Sequence, residues 1–85
     1  MKRIKIVKPV AGYRLWVEFE DGVSGEINLT ADLHGPVFEP LKDAELFNQV
    51  AVDEFGVVCW PNGADLAPEV LYNDVLHSQP ASPKR

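Results

Sequence analysis

The sequence predicts an α+β domain: a small, mostly antiparallel sheet of about five strands with a C-terminal helix packed on it. Three observations carry this expectation. Residues 13–20 alternate between apolar and polar, with Trp16 the one exception, and run into Asp21-Gly22, a pair that strongly favours a tight hairpin. A second apolar run, Val57-Val58-Cys59-Trp60, ends on Trp60-Pro61-Asn62-Gly63, which has turn chemistry from Pro61 onward. Beyond it, Pro68 opens a segment whose apolar residues recur at helical spacing. At 85 residues the chain is long enough for one domain with a limited core.

Taken in order, the first element is a strand from Lys2 to Val10. Its opening alternation places Ile4 and Ile6 inward and Arg3 and Lys5 outward, and Pro9 is tolerable only near its end or on an edge. Ala11-Gly12 is a short connection. In the next strand, Tyr13, Leu15, Val17 and Phe19 share one face, while Arg14, Trp16, Glu18 and Glu20 share the other. Trp16 stands out on that polar face: either something covers it or it is partly exposed. Val23 to Leu29 completes a three-stranded meander.

Gly35-Pro36 and Pro40 break any long helix between Thr30 and Pro40. That region reads as short turns or single-turn helices, with Leu33, Val37, Phe38 and Leu41 plugging an edge of the core. Asp43 caps a short helix reaching Gln49, which turns Leu46 and Phe47 inward. Val50–Phe55 and Val57–Trp60 form a second hairpin. The C-terminal helix runs from Pro68 to His77, with Ala67 as its cap residue and Leu66 and Leu71 placed to form a hydrophobic staple. At 100° per residue, Leu71, Tyr72, Val75 and Leu76 fall on one side, and Val70 falls among the polar residues. Residues 1–77 are thus one domain. Residues 78–85, with two prolines and no apolar anchor, read as a disordered tail.

Composition narrows the function. No apolar stretch approaches the ~20 residues of a membrane span, and Lys5 and Lys8 interrupt the N-terminal apolar run. A cytoplasmic protein is expected. One cysteine, Cys59, rules out an internal disulfide and a multi-cysteine zinc site. Its apolar surroundings suit packing better than reactivity. His34 and His77 lack metal-ligand spacing, no glycine-rich phosphate loop precedes a helix, and no paired carboxylates mark a cleft. The expectation is a non-enzyme without metal or cofactor.

The net charge of −5 is unevenly placed. Residues 1–20 hold five bases and two acids, whereas residues 21–77 hold one base and eleven acids, a net −10. An acidic body argues against broad contact with a phosphate backbone. Nucleic-acid binding through Lys2, Arg3, Lys5, Lys8 and Arg14 remains an alternative, as does a small-ligand site at the turn from Trp60 to Asp65. In that turn, Trp60 is otherwise expected to fill the space between sheet and helix, and Asp65 to bond the turn's backbone N–H groups.

Several segments together resemble a known family. They are Tyr13-x-Leu15-x-Val17-x-Phe19-x-Asp21-Gly22, Phe38-x-Pro40-Leu41, Trp60-Pro61-Asn62-Gly63-Ala64-Asp65-Leu66-Ala67-Pro68 and Leu71-Tyr72. They are similar to the small bacterial proteins grouped as domain of unknown function 2442. The resemblance spans roughly residues 5–72, and its specific part is the tryptophan-to-proline segment. It implies a small α+β domain and carries over no catalytic residues. Some relatives bear an appended helix-turn-helix domain, which is not expected here, and others are suspected antitoxins encoded beside a small toxin.

The leading expectation is a non-enzymatic interaction or regulatory module, antitoxin-like, whose partner is a small basic protein or a second copy of itself. Its candidate binding residues are Trp16 and Val70, the two misplaced apolar residues, together with Trp60, Asn62 and Asp65 of the turn.

Overall fold

Two antiparallel three-stranded sheets and a C-terminal helix surround one core in the computed structural model, which describes residues 2–78. The first sheet is the predicted meander: β1 (Ile4–Val10), β2 (Arg14–Phe19) and β3 (Ser24–Asn28), in that order. Single-turn helices at Thr30–Asp32 and Glu39–Lys42 precede α1 (Ala44–Phe47), where the Asp43 carboxylate accepts from the Glu45 N–H at 3.0 Å. The second sheet holds β4 (Ala51–Val52), β5 (Val58–Cys59) and β6 (Asp65–Leu66). α2 (Pro68–Ser78) follows, one residue longer than predicted. The tail expected beyond it lies outside the described residues.

A single five-stranded sheet is therefore not what forms. The second hairpin is cut to two-residue strands because Asp53 closes its turn: the carboxylate accepts from Phe55 N–H (2.8 Å) and Val57 N–H (3.0 Å). The Trp60 turn then sends the chain back as β6, giving the second sheet its third strand. The first sheet is joined to the β4–β5 turn where Ile4 N–H donates to the Gly56 carbonyl at 3.0 Å. Arg3 reinforces it by donating to the Glu54 carbonyl at 2.9 Å. Gly56 has φ +77°, and a Cβ there would stand 2.8 Å from the Arg3 Cβ. Only glycine satisfies both conditions.

The phase of β1 also departs from its alternation. Ile4 pairs with Phe19, but Ile6 pairs with Glu18, so Lys5 is an extra residue and the strand bulges. Ile4 stays buried, Ile6 turns outward, and Val7 turns inward opposite Val17. Tyr13 belongs to the turn rather than the strand. It is the one non-glycine residue with positive φ (59°) among those described. Three contacts hold it there: its ring meets Phe47 edge-on at 5.6 Å, its hydroxyl donates to the Lys42 carbonyl, and its own carbonyl accepts from Leu29 N–H at 2.9 Å.

The core fills the space on the inward face of the first sheet. Leu15, Val17, Phe19 and Ile27 line that face, the helical insertion contributes Leu29, Leu33, Leu41 and Phe47, and the second sheet contributes Val58, Trp60 and Ala64. α2 lies beside β3 and closes the core with Leu71 and Val75. The buried stripe is narrower than its periodicity predicts. Tyr72 is half-buried, and Leu76 is 50% exposed, because the helix meets a sheet edge rather than a broad surface. Val37 is also exposed, at 41%; its turn is fastened through its carbonyl, which accepts from Asn62.

Tyr72 anchors α2 to the β2–β3 hairpin. Its ring meets Phe19 edge-on at 4.9 Å, and its hydroxyl donates to Asp21 at 2.7 Å. Lys2 approaches the same carboxylate at 3.9 Å and sits 4.1 Å from the Tyr72 ring centre. The Tyr72 hydroxyl, followed by the Val23 N–H, holds the Asp21 carboxyl below the usual carboxylate range. The same bond holds the Tyr72 hydroxyl above its usual value.

Both junctions can be tested by substitution. Gly56→Ala should destabilise the fold by about 1–3 kcal/mol in urea unfolding; an unchanged midpoint would mean the sheets are not pinned there. A lowered carboxyl pKa adds stability that is complete above the unfolded value and fades as pH falls through the folded one. A raised phenol pKa adds stability that is complete below the unfolded value and fades as pH rises through the folded one. Asp21→Asn should therefore lower the melting temperature at neutral pH and flatten its decline between about pH 5 and pH 2. A decline as steep as that of the unsubstituted chain would show that the Asp21–Tyr72 bond does not stabilise the fold.

Candidate functional site

The outward face of the first sheet is set by strand register. Reading across β1, β2 and β3, the first row is Ile6, Glu18 and Ser24. The second row is Lys8, Trp16 and Glu26, and the third is Val10, Arg14 and Asn28. Directly paired residues of an antiparallel sheet point to the same side, so Trp16 is the centre of a three-by-three field. Ile6, Val10 and Trp16 are half-buried yet stand outside the core cluster on the opposite face. The bulge at Lys5 makes this field, since it turns Ile6 outward toward the side that already carries Trp16.

Charges ring the tryptophan. Arg14 donates to Glu26 at 3.1 Å and to the Ala11 carbonyl at 2.9 Å. Lys8 is exposed and Glu18 half-buried. An apolar centre inside a polar rim is the arrangement of protein–protein contact surfaces, and tryptophan is the residue that most often anchors them.

The other predicted site residues do not join this face. Trp60 is 4% exposed, and its indole N–H donates to the Phe47 carbonyl at 3.0 Å. Trp60 N–H donates to the Ala64 carbonyl (2.9 Å) and Gly63 N–H to the Trp60 carbonyl (3.1 Å), which closes the turn. It is Asn62, not Asp65, that ties the turn down: its amide donates to the Val37 carbonyl at 2.9 Å, and its side-chain oxygen accepts from Ala64 N–H at 3.1 Å. Asp65 is exposed on β6, and Val70 is 57% exposed on α2. The residues of the Trp60 turn are thus engaged in holding the fold, and the structure does not assemble the five into one site.

A hollow of about 640 Å³ beside the Tyr13 turn is lined by Pro9, Gly12, Tyr13, Phe47 and Asn48 among others, and its tyrosine hydroxyl is occupied by Lys42. His77 lies with Asp32 and Asp74 along another of about 470 Å³, all three exposed. His34 is exposed in the loop after the first single turn, and Cys59 is half-buried in β5. Of the five N-terminal bases, Lys2 meets Asp21, Arg3 meets Glu20 (3.5 Å), and Arg14 meets Glu26. No helix among the described residues is long and apolar enough to cross a membrane.

The family model described as "Protein of unknown function (DUF2442)" matches residues 4–76. The chain belongs to this family. The DUF2442 match opens at the first residue of β1 and closes two residues before the end of α2, so it takes in the meander, the helical insertion, the Trp60 turn and nearly all of the closing helix. No curated protein and no solved structure matches the chain.

Trp16 and Trp60 give a direct contrast within this DUF2442 domain. Trp60→Phe removes a buried hydrogen bond and part of the ring's volume, and should cost about 2–4 kcal/mol in equilibrium unfolding. Trp16→Phe, at a partly exposed indole outside the core cluster, should cost less than Trp60→Phe, under about 1 kcal/mol. A larger loss at position 16 would make that indole a part of the core.

Proposed function

We propose that this chain is a non-enzymatic protein-interaction module whose contact surface is the outward face of β1–β3, anchored by Trp16. One observation carries the reading: Trp16 sits on the side of the sheet away from the core, with Lys8, Arg14, Glu18 and Glu26 directly about it and Ile6 and Val10 at two corners of the same face. Trp16 lies outside the core cluster that holds the other tryptophan, Trp60, and the part of its indole left exposed suits a partner. An antitoxin-like role fits a protein-interaction module, and the net −10 over residues 21–77 suits long-range attraction of a small basic protein, although the β1–β3 face itself carries two bases and two acids.

Nucleic-acid binding is less well supported. Lys2, Arg3 and Arg14, three of the five bases it needs, face carboxylates of the same chain.

A photo-activatable cross-linker in place of Val10, a corner of the face, tests the proposal in the cells that make the protein. Irradiation should give protein adducts from position 10 and few from the same group at Glu69, on the exposed side of α2. Adducts at position 10 no more abundant than at 69 would remove this face as the contact surface.

A further inference from the structure

The four charges around Trp16 are divided by sign. Glu18 and Glu26 lie on one side of the diagonal Ile6–Trp16–Asn28, and Lys8 and Arg14 lie on the other. A two-fold dimer joins the same patch on both copies, so each residue of the patch must tolerate the one it meets. When two such faces pack together, the axis lies between them and exchanges positions across its own line. Four axes through Trp16 follow the field. The axis along the strands sets Glu18 on Glu18 and Arg14 on Arg14. The axis across the strands sets Lys8 on Lys8 and Glu26 on Glu26. The diagonal through Val10 and Ser24 sets Glu18 on Glu26 and Lys8 on Arg14.

The diagonal through Ile6 and Asn28 behaves differently. It sets Glu18 on Lys8, a contact occurring twice, and lays the Arg14–Glu26 pair of each copy (3.1 Å) against that of the other with opposite charges facing, with Trp16 on Trp16 and Ile6 on Ile6 along the axis. It also crosses the strands of the two copies at about 70°, because neighbouring strands stand about 4.8 Å apart while same-face residues along a strand are about 6.8 Å apart. Resting on the reading of this face as a contact surface, we infer that its occupant is a second copy of the same chain, related by the Ile6–Trp16–Asn28 diagonal.

The size of the face sets the strength of the pair. Three strands about 4.8 Å apart and five residues of about 3.4 Å each cover far less than the ~800 Å² per partner of a standard stable interface. The dimer is a weak, reversible one, populated as the protein becomes concentrated.

Sedimentation velocity up to about 1 mM protein reads the outcome directly. The unsubstituted chain should gain mass with concentration. Lys8→Glu brings a carboxylate onto Glu18 of the other copy, and Glu18→Lys brings an ammonium onto its Lys8; either should weaken association about tenfold. The double variant K8E/E18K restores both contacts and should associate as the unsubstituted chain does. An equimolar mixture of the two single variants should also associate more strongly than either one alone. Circular dichroism melting of each variant separates lost association from lost fold. An unsubstituted chain that stays monomeric, or a double variant no better than the singles, overturns the second copy as occupant. Cross-links from position 10 to a different protein would then leave the contact surface standing and only its occupant wrong, whereas an absence of adducts would remove both.

Discussion

The indole of Trp60 is where the separate parts of this chain are fastened to one another. Its N–H reaches the Phe47 carbonyl, and its ring packs against Phe47 (5.9 Å) and Phe38 (6.5 Å). The insertion between the sheets has little regular structure of its own: two single turns and a four-residue helix. Segments that short have no intrinsic stability, so packing must hold them. Trp60 supplies that packing from the end of β5, and the Asn62 bond to Val37 fastens the preceding turn from the same stretch. The Trp60–Asn62 turn holds these segments in position.

With that turn committed to the fold, the two tryptophans divide the labour of the domain. Trp60 is buried and hydrogen-bonded, and Trp16 stands on the far side of the first sheet with charges about it. A chain of this size builds one core, and one sheet face is enough to line it. The other face is then free to vary in chemistry without loss of the fold, which suits an interaction surface.

Much of this was legible in the sequence. The β2 alternation, the Asp21-Gly22 hairpin, the Asp43 cap and the Pro68 helix start are local signals, and each appears where local chemistry places it. Trp16 was visible as an anomaly on a polar face. Three things were not legible, each for a non-local reason. The bulge at Lys5 depends on how β1 pairs with β2, which the β1 residues alone do not reveal. The split into two sheets depends on Asp53 tightening a turn and on a two-residue β6 too short to carry a pattern. Leu76 is exposed because α2 meets an edge, a matter of where the helix lies and not of its periodicity. In the turn, the sequence points to Asp65 for the polar role that Asn62 fills, since an amide can donate and accept at once and a carboxylate can only accept.

The bulge in β1 has a meaning for how such a surface arises and disappears. A strand's side chains have a period of two, so one added residue exchanges inside and outside for everything beyond it. Ile6 and Val10 lie outward, and Val7 inward, because of Lys5. The event that makes or erases the apolar half of this face is therefore a change in strand length, not a change in residue type. Among related chains, a gap of one position at the start of the first strand would separate members that display this patch from members that bury it, even where every other residue is the same.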